Sequence, residues 1–279
     1  MMTLKSPIIS FLAKKIMISL LILFLATWMV SVLMHSVSVK PKHGSPESYL
    51  EWIENLVTFR FATRELFTKT FRTLVLTFGS LAVSLLFSIP LGISSAIRND
   101  STWLKFITKL IDSICFTPAF VTAYLFILLG LKIFHQHFAA VGEDRPAFTI
   151  FIMFLALGLS NGAVSEIMRH TREETIRIME QNYYKAVIAR GVNLKRHFTK
   201  SLFLPLLNIV SSRIVYLLSG AVVIEFIFGW DGIGKWSWDS AIAGDYSVVM
   251  NITFIMVLFV LLVRLSDNLM TAYIDPRRR

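Results

Sequence analysis

A single cysteine, Cys115, occurs in 279 residues, and it falls inside an apolar run. That excludes a disulfide within the chain and any cysteine-based metal site, and it reads as a small buried hydrophobe. Charge is also scarce: only 16% of the residues are Asp, Glu, Lys or Arg, against about 25% in ordinary soluble domains. No Gly-x-x-x-x-Gly-Lys-Ser/Thr phosphate loop is present, so the chain has no ATPase site of that class. No His-Glu-x-x-His pair is present either, and no catalytic residue is assigned. The six histidines are His35, His43, His135, His137, His170 and His197. They fall mostly in connections, and no metal site is read from them; His135 and His137 face together only on an extended segment, where they suit a transient metal contact or plain solvation.

What is abundant is apolar. Hydrophobic residues make up 55% of the chain, with 23 Phe among them, and the mean hydropathy is +0.64. A helix needs roughly 20 mostly apolar residues to cross a bilayer core about 30 Å thick. Six stretches reach that length, at 15–36, 73–97, 106–134, 147–168, 203–229 and 248–273. None alternates in polarity as barrel strands do, so the expected class is an all-α membrane protein with six transmembrane helices. The first run follows Lys14 and Lys15. It is too long for a signal-peptide core and no small-x-small site closes it, so it is expected to stay as the first span. Residues 1–72 then form an N-terminal transmembrane helix plus an outer interfacial segment, and 73–279 form a five-helix core with a cytoplasmic loop at about 169–202.

A net charge of +10 would suit nucleic acid, but the cations flank the apolar runs instead of forming a separate polar face. Membrane topology and lipid contact account for them, and no nucleic-acid partner is expected. With the N-terminus inside, the inner segments hold Lys5, Lys14 and Lys15, then Arg98, Lys105 and Lys109, then eight basic residues from Arg169 to Lys200, then Arg277 to Arg279. The short outer segments hold Lys132, Arg145 and Lys235. Both termini are therefore expected in the cytoplasm. The segment from 37 to 72 departs from the rule, since it carries Lys40, Lys42, Arg60, Arg64, Lys69 and Arg72 against four glutamates. Within it, SPESYLEWIENLVTF (45–59) has the spacing of an amphipathic helix, with Ser45 or Ser48 as cap and Tyr49, Trp52, Ile53 and Leu56 on one face. The outer interface is its expected location.

The longest inner connection contains YYKAVIARGVNLKRHFTKSLFLP (183–205), which has five basic residues and no acidic one. Its spacing predicts short helices outside the membrane, broken at Gly191, with a second short helix before the fifth span. The order Lys185-Ala186, then Gly191, a basic helix and Leu204-Pro205 resembles the EAA loop of permease subunits in binding-protein-dependent ABC importers. The chain departs from that pattern in having Lys185-Ala186-Val187 where the family begins Glu-Ala-Ala. FRTLVLTFGSLAVSLLFSIPLGISSAIR (71–98), LIDSICFTPAFVTAYLFILL (110–129), SGAVVIEFIFGWDGIGKW (219–236) and the terminal DPRRR resemble the dipeptide, oligopeptide and nickel branch. The likeness covers residues 60–279.

The resemblance implies a type I importer permease, multi-pass in the bacterial cytoplasmic membrane. It implies a second permease subunit, expected to be a homologue, two ATPase subunits that hold ATP and Mg, and an extracytoplasmic substrate-binding protein. The chain itself binds no cofactor and is no enzyme. Peptides are the expected cargo, with nickel or a metal chelate as the alternative. An ion-driven secondary transporter is a third reading, but mid-span carboxylates are nearly absent and no internal repeat is visible. In the loop, Tyr183 and Tyr184 would anchor an ATPase subunit, Ala186 and Gly191 would allow close approach, and Lys185, Arg190, Lys195 and Arg196 would set polar register. Taken singly, each cation also serves orientation.

EFIFGWDGIGKWSWDSAIAGDY (225–246) holds three tryptophans, and in the family the matching stretch lies near the outer mouth. Trp230, Asp231, Trp236 and Asp239 are candidate mouth residues, with an aromatic interface belt as the alternative for the tryptophans. Glu225, at the end of a span, either lines the path or braces the bent segment. Asn161 and Ser165 either line a wet path or bridge packed helices.

Overall fold

The structure, a computed structural model, describes residues 5–36, 49–59, 63–98, 102–134, 146–191 and 194–274. No strand occurs among the described residues. The helices in chain order are α1 (Lys5–Ser36), α2 (Tyr49–Val57), α3 (Arg64–Ile97), α4 (Thr102–Cys115), α5 (Ala119–Phe134), α6 (Pro146–Gly158), α7 (Ala163–Glu180), α8 (Asn182–Ala189), α9 (Leu194–Phe228), α10 (Ile233–Ala243) and α11 (Tyr246–Ile274).

Among the described residues four stretches are long and apolar enough to cross a membrane: Lys14–Met34, Arg64–Ile97, Ser201–Phe228 and Tyr246–Thr271. Helices α6 and α7 make a fifth if taken together, with a 58° bend between them. The expected span at 106–134 is instead two helices, α4 and α5, separated at Phe116–Pro118. Pro118 has no N–H to offer and biases Thr117 away from helical geometry, so α4 stops short of it. The expected span at 147–168 breaks after Gly158, where Asn161 (φ 53°) and Gly162 (φ 70°) take left-handed conformations. A third difference concerns the helix after Gly191. It was expected to be short and separate from the fifth span, yet α9 runs unbroken through Pro205. Proline removes one ladder hydrogen bond, and the long helix on either side absorbs that loss.

Packing divides the chain into two units, Met1–Arg72 with Asp231–Arg279, and Thr73–Trp230. In the first unit α1 packs along α11 and leaves Leu20, Leu21, Phe24 and Trp28 exposed as a lipid-ready face. Helix α2 forms as its spacing predicts, and its aromatic face docks on protein. The Trp52 indole N–H donates to Asn251 at 2.8 Å, and the Tyr49 hydroxyl lies 3.0 Å from that of Thr27. Leu66, Ile233 and Ile252 form a buried cluster with Trp236 and Met256 packed around it.

In the second unit, α3 presents a buried stripe of small polar residues, Thr73, Thr77, Ser80, Ser84 and Ser88. Spacings of three and four keep them on one helix face. The Ser84 hydroxyl donates to the Gly158 carbonyl at 2.6 Å, and that of Ser88 to the Val164 carbonyl at 3.0 Å. Small side chains let the backbones approach closely, and hydroxyl bonds to carbonyls on either side of the helix break add to the contact.

Candidate functional site

The loop that resembles the EAA motif is built by two backbone breaks. Helix α7 ends where Gln181 turns extended (ψ 137°) while its N–H still bonds the Ile178 carbonyl. Helix α8 follows for eight residues, and Gly191 (φ 63°) turns the chain into α9. A left-handed φ is where glycine is favoured over other residues. A Cβ at Gly191 would meet nothing within 4 Å, so within this chain the backbone conformation and not crowding asks for glycine.

Tyr184 and Val187 lie three apart and form the buried face of α8. Tyr184 clusters with Ile178 and Leu202 and meets Phe198 edge to ring at 6.5 Å. Of the two expected tyrosine anchors, Tyr184 therefore holds α8 onto its own unit, whereas Tyr183 stands exposed. Lys185, Ala186, Ile188, Arg190 and Gly191 are exposed with it. Ile188, 54% exposed, adds an apolar side chain to this outward face. The backbone of Lys195 and Arg196 opens α9, and their side chains lie outside the described residues.

At the far end of α9, Glu225 is fully buried. The Thr73 hydroxyl donates to its carboxylate at 2.5 Å, and the Glu225 carbonyl accepts the Trp230 N–H at 2.8 Å. These bonds tie Glu225 to α3 and close the end of α9. In the first unit, the Asp231 carboxylate accepts from Lys69 at 2.6 Å and from Arg72 at 2.8 Å. Lys69 also lies 3.3 Å from Glu65 and 5.0 Å from the Trp236 ring centre. Burial pushes the Asp231 pKa up, but the Lys69 hydrogen bond and the charges of Lys69, Arg72 and Lys235 outweigh it and hold the carboxyl below its ordinary value. Asp239 is exposed. Lys69 and Arg72 belong to the segment whose surplus cations resisted the topology rule, and that surplus was the signal for an acidic partner.

Asn161 and Ser165 both bridge helices. The Asn161 side-chain oxygen accepts the Ala119 N–H at 3.1 Å, capping α5, and the Ser165 hydroxyl donates to Asp112 of α4 at 2.6 Å. Sequence reasoning did not anticipate the partner of Arg213, a residue of α9 that is 6% exposed. Its guanidinium pairs with Glu166 of α7, so the two helices that flank the loop are tied by charge. Gly158-Leu159-Ser160-Asn161-Gly162 has Gly-x-Ser-x-Gly spacing, yet it lies at a helix break and the Ser160 hydroxyl bonds the Leu157 carbonyl. A nucleophile elbow needs a strand-to-helix turn, so this is no hydrolase motif. Among the described residues no group of three or more His, Cys, Asp or Glu is arranged to hold a metal, and the His135–His137 pair lies outside them.

Residues 88–279 match the family described as "Binding-protein-dependent transport system inner membrane component". The chain is 28% identical over 256 residues to the oligopeptide transport system permease protein AppB of Bacillus subtilis, covering 82% of this chain and 79% of the relative. It is 31% identical over 219 residues to a putative peptide permease protein of Brucella ovis, covering 74% and 67%. To the nickel import system permease protein NikB of Staphylococcus aureus it is 27% identical over 260 residues, covering 87% and 76%. The family match takes in Ser88 at the end of the buried stripe, the α7–α8–α9 turn and Glu225, and the chain belongs to the inner-membrane permeases of binding-protein-dependent transport systems.

Proposed function

We propose that this chain is one half of the channel in an ATP-driven importer and passes peptides across the cytoplasmic membrane. An extracytoplasmic binding protein delivers the cargo, a homologous permease completes the channel, and two ATPase subunits that hold ATP and Mg drive it. Residues 1–72 supply a first span with its outer segment, and 73–279 a five-helix core, six spans in all with both termini cytoplasmic. The sixth apolar helix in this count is α5, whose Ala119–Lys132 stretch is shorter than the others. Membrane lipid surrounds the assembly, and nucleic acid has no part in it.

The observation that carries the coupling assignment is the geometry of α8. A short helix is held to the protein by Tyr184 and Val187, offers Tyr183, Ala186 and Ile188 outward, and lies between two backbone breaks. Docked on an ATPase subunit, such an element transmits closure by rigid-body movement when the interface favours different permease conformations in the open and closed ATPase. Lys185, Arg190, Lys195 and Arg196 supply register at its rim.

The relatives named for peptide transport support the peptide reading. The nickel permease, which covers the larger share of this chain, supports nickel or a metal chelate as the second reading. The test is uptake into vesicles that contain the whole transporter, with labelled peptide and labelled nickel in parallel. Peptide uptake that nickel does not compete supports the first cargo, and the reverse result replaces it. In the same vesicles, Ala186→Trp and Gly191→Val should abolish uptake while the protein still inserts in the membrane, and Gly191→Asn, which tolerates a left-handed φ, should retain it. Normal uptake by Ala186→Trp and Gly191→Val removes the coupling role.

A further inference from the structure

A cavity of about 250 Å³ opens in the second unit between the end of α3, α4 and the start of α7. Four cations, Arg98, Lys105, Arg169 and Arg172, contribute to its lining, against two carboxylates, Asp112 and Glu166. Both carboxylates are already engaged, Asp112 by the Ser165 hydroxyl and Glu166 by Arg213. Among the described residues, the ion pair of Arg169 with Glu173 is long at 3.9 Å and solvent-exposed. The cavity therefore presents a concentration of positive charge, with three guanidinium groups whose planar forks match a phosphate.

Helix α4 has a second face. Lys105, Thr108 and Asp112 line the cavity, while Trp103, Phe106 and Leu110 are 69%, 58% and 50% exposed. The Trp103 and Phe106 rings stack at 6.2 Å. A helix with cations on one side and Trp, Phe and Leu on the other suits the headgroup–acyl boundary of a bilayer, where tryptophan is favoured. A soluble anion would satisfy the cavity and leave this apolar face uncovered.

We propose that the cavity binds the phosphate headgroup of an anionic phospholipid whose acyl chains lie along Trp103, Phe106 and Leu110 of α4. The orientation proposed above sets the site at the cytoplasmic leaflet. The site depends on the reading of the chain as an importer subunit only for its location in the inner membrane. A lipid measurement does not involve cargo, so failure of this proposal and failure of the peptide assignment are separable.

The experiment uses the intact transporter complex, extracted in mild detergent, washed, and assayed for retained lipid. Phosphatidylglycerol and cardiolipin should be enriched several-fold over phosphatidylethanolamine relative to the source membrane. Arg98→Gln with Lys105→Gln and Arg169→Gln should abolish the enrichment, and Lys105→Gln alone, at an exposed position, should reduce it if the triple variant does not assemble. Trp103→Ala with Phe106→Ala and Leu110→Ala should also reduce it. Enrichment equal to the parent in these variants overturns the proposal. So does loss of the retained lipid to inorganic phosphate, which would make the cavity a soluble-anion site. Loss of the ATPase subunits from the Lys105→Gln complex with lipid unchanged also overturns it, because the cations would then serve protein docking.

Discussion

The hydroxyl of Thr73 donates a 2.5 Å hydrogen bond to the carboxylate of Glu225, across 152 positions of sequence, and both side chains are buried. A buried carboxylate is tolerated when hydrogen-bond donors replace the water it has lost. Thr73→Val removes a donor while keeping the shape, and should cost about 1–3 kcal/mol. Glu225→Gln keeps an acceptor and should cost less. Thermal unfolding of the purified permease in detergent, followed by tryptophan fluorescence, measures both; a Thr73→Val protein as stable as the parent would mean the bond contributes nothing.

Asp231 gives a pH-dependent prediction. Its native pKa lies below the ordinary value, against the upward push of burial, because Lys69, Arg72 and Lys235 favour the charged form. Its contribution to stability is therefore complete above the unfolded-chain value of about 4 and is lost as the pH falls through the lower native value. The side chain is 54% exposed, so screening limits the contribution to about 0–1 kcal/mol. Asp231→Asn should lower the unfolding midpoint slightly at neutral pH and leave it unchanged in acid, where the native carboxyl is protonated. A deficit of equal size at both ends of the titration would show that shape and not charge is responsible.

Helix separation yields a third test. A Cβ at Gly158 would lie 2.6 Å from the Ser80 carbonyl oxygen, a backbone atom that cannot swing aside. Gly158→Ala should push α6 from α3, stretch the Ser84–Gly158 bond and cost about 1–3 kcal/mol. At Gly79 the nearest atoms belong to the ring end of Phe154, which can rotate away, so Gly79→Ala should cost less. Equal melting of the two variants in a thermal scan would refute this account of the interface.

The long apolar runs in α1, α3, α9 and α11 were legible in the sequence because each alone exceeds the length a bilayer demands. Helix α2 was legible because its aromatic residues recur at helical spacing. The breaks were harder. Pro118 was visible, yet an apolar run on both sides hid its effect, and the bend at Asn161 and Gly162 depends on left-handed conformations that composition does not announce. Pairings across more than 150 residues, such as Lys69 with Asp231 and Thr73 with Glu225, leave no local periodicity. Only the excess of cations in residues 37–72 hinted at the first. Tyr183 and Tyr184 looked equivalent as neighbours in sequence, and helical geometry turned one outward and the other inward.

Because α9 continues unbroken from Leu194 to Phe228, its 35 residues form a rod about 50 Å long. A rod of that length acts as a lever. Under the proposed coupling, a pivot near its middle, where Arg213 meets Glu166, would convert a small displacement beside Gly191 into an opposite swing of similar size at Glu225. A flexible joint after the loop would have dissipated that motion. Under the same proposal, the basic end of this one helix would set the displacement felt at its acidic end.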